Sequence, residues 1–497
     1  MPEKALLGID LGTSSIKAVL VDLDGKLLST AAREYAFDVP GPGWAEQDPQ
    51  VWVDAAQAVI RETLRAAPVP AGAVQAVGLS GQMHGLVCLD ADARPVRPAV
   101  LWPDQRSAAQ VERINRQVGL EQLGKWTANR AAAGFMLPSW LWLLENEPET
   151  ARRTRYLVLP KDALRLALTG SLGVEASDAS STLLFDTAGR GWCLPLLERL
   201  GVDPRLLLAP HGSAEVAGGL TEEAARRTGL PADIPVIYGG SDQPMGLLGQ
   251  GILRPGQLAC AISTGGQLVA PLASPVYDPL LRCNTFCHVL DGGWYILAAT
   301  LSAGLALRWL RDAVFLGLSY QELADLAAGT PSSEGVFFLP HLAGERTPYM
   351  DPGSRAGFWG LTIRHHRGHL VRAVMEGVVY SLRASLDLLA GLGIPVEQVV
   401  ASGGGSRHPF WLRLMADIFN RPIARSPVVE ASATGAAILG GVGAGLYSNA
   451  AEAVRRAVAP PAEITLPDPA RAEAYQAGYE TYQRLYPAFS QLRDREG

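Results

Sequence analysis

The chain reads as an α/β protein of two domains, and three observations predict this. Its 497 residues give room for two or three domains at ~100–200 residues each. Short apolar runs of strand length alternate with stretches of helical spacing through the first half. The strand–turn–strand pattern that opens the chain restarts after Arg254-Pro255-Gly256, which points to a repeated module. We therefore expect an N-terminal domain over 1–250 and a C-terminal domain over 251–497.

The elements follow in order. Ala5 to Ile9 is apolar, Asp10-Leu11-Gly12-Thr13-Ser14-Ser15 is a tight turn, and Ile16 to Asp22 is a second strand. Asp24-Gly25 is a hairpin signal. Val51 to Arg65 has helical spacing, and Val74 to Ser80 is a strand. Val87-Cys88-Leu89 and Val100-Leu101-Trp102 add strand material. The stretch from about 105 to 215 is helix-rich, with helices at Pro138 to Leu144 and Pro160 to Thr169. Val236 to Gly240 is a strand that delivers Ser241-Asp242. Gln257 to Ile262 and Gln267 to Ala270 flank the Ser263-Thr264-Gly265-Gly266 turn. Val399 to Ser402 leads into Gly403-Gly404-Gly405-Ser406 and a helix from Pro409 to Phe419. The tail beyond about 465 is polar and helical.

Composition excludes several classes. Net charge is −6, and no long basic run offers a nucleic-acid groove. The five cysteines are an odd, sparse set that fits a reducing cytosol better than a disulfide framework. Cys283, Cys287 and His288 invite a zinc reading, but no second ligand pair stands at a matching spacing. The N-terminus has no signal-peptide core before Asp10 interrupts it. Val428 to Tyr447 contains Glu430 and many Gly and Ala, so it reads as a tightly packed buried helix rather than a membrane span. A soluble, cytoplasmic protein without nucleic-acid or membrane partners is expected; a homodimer is left open.

Four motifs carry candidate chemistry. In the Asp10–Lys17 turn, Gly12 lets backbone approach an anion, Thr13, Ser14 and turn N–H groups can donate to phosphate, and Asp10 suits a hydrated Mg²⁺. In Gly239-Gly240-Ser241-Asp242-Gln243, the carboxylate can accept a hydroxyl proton or merely cap a helix. Gly403, Gly404, Gly405 and Ser406 precede a helix and form a nucleotide-sized shelf; no Gly-Lys-Ser/Thr follows, so this is no Walker A loop. Gln82 and His84, in Gln82-Met83-His84-Gly85, can each donate to and accept from a polyol. All four follow apolar strands, where loops commonly form sites.

These residues resemble the FGGY carbohydrate kinases, and within them the xylulokinases, over nearly the whole chain. Further resemblance lies in Gly43 to Pro49, in Trp102-Pro103-Asp104-Gln105-Arg106, in Leu159-Pro160-Lys161-Asp162, in Ser177-Asp178-Ala179-Ser180, and in Gly344 to Tyr349 with Asp351-Pro352. The resemblance implies two ribonuclease H-like (actin-like) domains flanking a catalytic cleft, with ATP and Mg²⁺ as cofactors and a small sugar as partner. It implies Asp242 as the base and Asp10 near the metal. Gln82, Met83, His84, Asp104 and Gln243 would face the sugar. Gly12, Thr13, Ser14, Lys17, Thr264 and Gly265 would approach the phosphates, and Gly403 to Ser406 the adenosine.

Two positions depart from the pattern. Gln243 stands where many xylulokinases have Asn, and the second-domain turn reads Ser-Thr-Gly-Gly rather than Gly-Thr-Ser-Gly. The expected reaction is transfer of the ATP γ-phosphoryl to a ketopentose, D-xylulose at O5. Alternatives are another polyol (ribulose, gluconate, glycerol or a tetritol) or a non-catalytic protein on the same fold.

Overall fold

The opening hairpin anchors the first of two seven-stranded sheets in this computed structural model, which describes residues 3–461 and 463–493. Its strands are β1 (Ala5–Leu11), β2 (Ser15–Asp22), β3 (Leu27–Glu34), β4 (Val74–Gly81), β5 (Val216–Gly219), β6 (Pro235–Ile237) and β7 (Gly240–Ser241). The order is β5-β6-β4-β1-β2-β3, with β7 also on β4. β1 runs antiparallel to β2 and parallel to β4, so Asp10 lies opposite Lys17 on one side and Ser80 on the other. The strands are apolar on both faces because helices cover both.

On one face lies α1 (Pro49–Ala66), capped by Asp48, whose side chain accepts from the Gln50 N–H at 2.9 Å. Trp52, Ala56, Val59 and Ile60 of α1 are buried in the core. On the other face lies the helix Ala431–Gly443. A Cβ at Gly8 would sit 1.9 Å from the Ala433 carbonyl oxygen, and one at Gly78 would sit 1.8 Å from that of Ala436. Helix and sheet therefore touch backbone to backbone, which is why this segment is built from Ala and Gly.

The second sheet repeats the plan with β8 (Gly256–Ile262), β9 (Gly266–Leu272), β10 (Trp294–Thr300), β11 (Val396–Gly403), β12 (Ile423–Arg425) and β13 (Ile464–Thr465). Its run β10-β9-β8-β11-β12-β13 matches β3-β2-β1-β4-β6-β5 strand for strand. The antiparallel hairpin, the parallel neighbour and the antiparallel last strand recur as well.

The chain divides into two compact units, and it passes between them more than once. The first unit comprises the residues up to Leu253 together with Leu272–Tyr295 and Glu430–Ala459. The second comprises Arg254–Pro271, Ile296–Val429 and the residues from Pro460 onward. Two later segments thus fold back into the first unit, one of them to supply the helix over Gly8 and Gly78. Among the described residues no helix is long and apolar enough to cross a membrane.

Candidate active site

In the first unit, the site is built where β1, β4 and β7 end. Asp10 is the penultimate residue of β1, and the Ser80 hydroxyl donates to its Oδ1 at 2.8 Å. Burial raises its carboxyl pKa, the Ser80 bond and Lys17 pull it down, and Glu430 pushes it up again. Lys17 reaches across and pairs with Glu430 at 2.7 Å. Beyond Asp10 the turn closes with Gly12 N–H donating to the Ser15 carbonyl at 2.9 Å. Thr13 sits at the centre of a short relay: its hydroxyl donates to Gln82 Oε1 at 3.1 Å and accepts from the Trp102 indole N–H at 2.8 Å. Ser14 is exposed at the tip.

Asp242 is the first residue of α2 (Asp242–Gly249), and Ser241 takes the cap position. The chain reaches it through Gly239, at φ +78°, where a Cβ would lie 2.2 Å from the Leu79 carbonyl oxygen. Only glycine fits this break between β6 and β7. The Asp242 Oδ1 is shielded and has no hydrogen-bond partner among the described residues. Burial, and behind it the charge of Asp10, push this carboxyl up to about 7, while hydrogen bonds from Gln243 pull it down. The Ser432 hydroxyl donates to the Asp242 carbonyl at 3.0 Å. A half-buried carboxylate with one unpaired oxygen and a pKa near neutrality is the pattern of a general base.

The sugar-side motif has a particular shape. His84 holds a left-handed backbone, φ +73°. Its N–H donates to Ser181 Oγ at 3.2 Å, its Nδ1 meets the Ser181 carbonyl at 2.8 Å, and its ring stacks on Phe135 at 3.9 Å. Met83 is buried, and its sulfur accepts from the Tyr295 hydroxyl at 3.6 Å. Two expected sugar ligands are engaged elsewhere. Gln82 is buried and turned toward Gly12 and Thr13, so it braces the first turn.

Asp104 requires a correction. It is fully buried, and its oxygens accept from the Ala45 N–H at 2.6 Å and from the Arg106 backbone and guanidinium at 2.8–3.0 Å. Arg106 in turn stacks over Trp44 at 3.7 Å. Asp104 organises this buried cluster and presents no oxygen to a ligand. The expected sugar role rests on the family resemblance alone, and the partner at Ala45 lies 59 positions away along the chain.

In the second unit, a cavity of about 510 Å³ opens beside the corresponding turn. Thr264, Gly404, Gly405, Arg308, Tyr320 and His408 are among the residues lining it. The Thr264 carbonyl accepts from the N–H groups of Ala303 and Leu305 at 3.1 and 3.0 Å. A Cβ at Gly265 would lie 2.6 Å from the Thr300 carbonyl oxygen, and one at Gly405 would lie 2.6 Å from Ile262 Cβ. Ser406 donates to the Gly403 carbonyl at 2.8 Å and so shapes the loop. As the sequence predicts, the glycine run precedes its helix: a 3₁₀ turn (Gly404–Ser406) intervenes, and the helix Pro409–Phe419 is capped by His408. The volume falls in the range of small-ligand pockets, ~300–1,000 Å³.

Several residues of these sites carry no motif. Glu430 meets Lys17 across 413 positions of sequence. Tyr295, Arg308, Tyr320 and His408 stand in ordinary-looking stretches. Trp102, half-exposed beside Thr13, lies within a motif and could have been singled out as an indole donor.

Comparison with known proteins places the chain. Residues 5–249 match the N-terminal domain, and residues 262–444 the C-terminal domain, of the FGGY family of carbohydrate kinases. The chain is 35% identical to a xylulose kinase of Lactococcus lactis over 490 residues, 98% of this chain and 97% of the relative. It is 30% identical to a gluconokinase of Bacillus subtilis, over 88% of this chain and 86% of the relative. A crystal structure of a xyloylose kinase from Brucella ovis superimposes with a TM-score of 0.92 at 35% identity, covering 98% of this chain and all of the other. The carboxylates of the first unit, the cavity of the second and these matches lead to one conclusion: the chain is a carbohydrate kinase and belongs to the FGGY family.

Proposed function

We propose that the chain transfers the γ-phosphoryl group of ATP to a primary hydroxyl of a ketopentose, D-xylulose at O5. The observation that carries this is Asp242, whose unpaired Oδ1 stands on the first turn of α2 and whose carboxyl is poised near neutrality. The hydroxyl donates its proton to Asp242 as the oxygen–phosphorus bond forms, and the bond from phosphorus to the departing ADP oxygen breaks. Met83, His84 and Gln243 form the sugar side. Thr13, Ser14 and the turn N–H groups spread the charge of the transferring group.

The nucleotide fits the second-unit cavity, whose lining includes Thr264, Gly404 and Gly405. A magnesium ion fits Asp10, because the Ser80 bond engages Oδ1 alone and a carboxylate oxygen suits this hard cation. When bound, that ion offsets charge on the phosphates. Lys17, tied to Glu430, acts on the phosphates through the field it shares with Asp10. Utilisation of ATP and a free sugar fits a cytoplasmic location.

A second reading, gluconate as acceptor, is favoured by the likeness to a gluconokinase. An ADP-release assay over D-xylulose, D-ribulose, gluconate and glycerol decides between them. The highest kcat/KM on D-xylulose supports the first reading, and the highest on gluconate replaces it.

A further inference from the structure

Two sequence segments, Leu159-Pro160-Lys161-Asp162 and Ser177-Asp178-Ala179-Ser180, are absorbed by neither the base nor the nucleotide cavity. They meet in the interior of the first unit. The second forms a short helix followed by a 3₁₀ turn, Ala176–Ala179 and Ser180–Thr182, with every residue buried. Glu175 caps it: its carboxylate accepts from the Ser177 and Asp178 N–H groups at 2.7 and 2.8 Å and from the Ser177 and Ser213 hydroxyls at 2.9 and 2.7 Å.

Lys161 stands against this cap with no exposed surface. Its Nζ lies 2.9 Å from Asp162, 3.4 Å from Asp178 and 3.8 Å from Glu175. Arg165 closes the cluster on Asp162 at 2.6 Å. Burial pushes the Asp178 carboxyl well up, and the adjacent Lys161 pulls it back down. Such a cluster is costly to bury, and an apolar core of equal volume is often as stable. Its use here is better sought in what it holds in place.

It holds both ends of the glycine turn that delivers Asp242. Lys161 Nζ donates to the Tyr238 carbonyl at 3.1 Å, just before Gly239. Ser177 Oγ accepts from the Ser241 N–H at 3.0 Å, just before Asp242. The Ser177 hydroxyl proton is already given to Glu175, so its lone pair is directed at Ser241. At the other end of the same buried turn, Ser181 supplies both the hydroxyl and the carbonyl that hold His84. Ser181 Oγ is itself fixed by donating to the Asp178 carbonyl at 2.7 Å.

We propose that the buried turn from Glu175 to Thr182, anchored on Lys161, is a spacer that fixes the base loop and the sugar loop at a set separation, with Lys161, Ser177 and Ser181 as positioning residues. The proposal rests on the reading of Asp242 as base and His84 as sugar ligand. The two ends of the spacer have separable effects. Loss of the Ser177 tie displaces Asp242 and lowers kcat; loss of the Ser181 tie loosens His84 and weakens sugar binding.

The test is a set of steady-state measurements on Ser177→Ala, Ser181→Ala and Asp242→Asn, with thermal melts to establish that each is folded. Ser177→Ala is expected to lose about 100-fold in kcat, the scale of a misplacement near 1 Å. Its sugar KM and its nucleotide affinity should stay within about threefold, less than one typical hydrogen bond. Ser181→Ala should raise the sugar KM about 3- to 10-fold, one hydrogen bond's worth, with kcat nearly unchanged. If Ser177→Ala does not fold, Ser177→Cys, close in size but a poor acceptor, must show the same loss of kcat.

Wild-type kcat in the folded Ser177 variant, together with an inactive Asp242→Asn, overturns the spacer alone. Equal losses of kcat and of sugar affinity in both serine variants overturn it too, because a merely structural role predicts that. Full turnover in Asp242→Asn removes the base and the spacer's purpose together.

Discussion

The two hairpin turns invite direct comparison. Each lies between the first two strands of its sheet, and each has a parallel strand beside it. In the first unit Asp10 faces Lys17 across the hairpin and Ser80 across the parallel pair. In the second, the residue at the same register is Ala261, facing Gln267 and Ser402. The scaffold repeats down to the serine on the parallel strand, while the carboxylate and the lysine occur once. One turn is therefore an electrostatic device, coupled to Asp242 and Glu430. The other is neutral and works by shape, with Gly265 and Gly405 packed too closely against Thr300 and Ile262 to carry a side chain. A duplicated fold fixes where loops emerge, and a handful of side chains decides which loop does chemistry.

The sharpest way to break this comparison is in the charged half. Asp242→Asn should lower turnover by about 10²–10⁴-fold while nucleotide binding, measured by calorimetry, is retained. The same variant should melt higher than the wild type at pH 8. The folded chain holds the Asp242 proton up to about 7, whereas an unfolded Asp releases it near ~3.9. Stability is thus lost as pH rises through that interval, and Asn, which has no proton to lose, escapes the loss. Below about pH 4 the two melting temperatures should converge.

Asp104→Ala comes next. Removing Asp104 leaves the buried Arg106 with Glu46 alone at 2.6 Å and the buried Ala45 N–H without its acceptor, and should cost about 3–5 kcal/mol in denaturant unfolding. A loss of sugar affinity at unchanged stability would restore Asp104 to the sugar site. In the neutral half, Gly265→Ala should raise the KM for ATP about tenfold or more, because its Cβ displaces the turn against the Thr300 carbonyl by the size of a bad contact. The sugar KM should barely move. The smallest effect is expected from His84→Ala, about a 3- to 10-fold rise in sugar KM for one lost hydrogen bond.

Much of the scaffold was legible along the chain. The helix Pro160–Thr169 has the bounds its pattern predicts, and the apolar Gly/Ala stretch near 431–443 is a buried helix. Local periodicity suffices for such elements because each buries one face or all of it. What escaped has a common cause: it depends on partners distant in sequence. Nothing near Glu430 announces Lys17, nothing near Asp104 announces the Ala45 N–H, and nothing near Leu272 says that the chain returns to the first unit until Tyr295. The role of Gly239 was half visible. Its place before Asp242 was clear, but its left-handed backbone against Leu79 is a tertiary fact.

The most direct test of the central claim, that Asp242 is a base tuned by burial and by Asp10, is the pH profile of kcat/KM for the sugar at saturating ATP, in the wild type and in Asp10→Asn. The wild type should lose activity tenfold per pH unit below an inflection near 7, where Asp242 becomes protonated. In Asp10→Asn, the residual activity should show that inflection at lower pH, because the repelling charge is gone. A wild-type profile that stays flat down to about pH 5, or an inflection that does not move in Asp10→Asn, contradicts the claim.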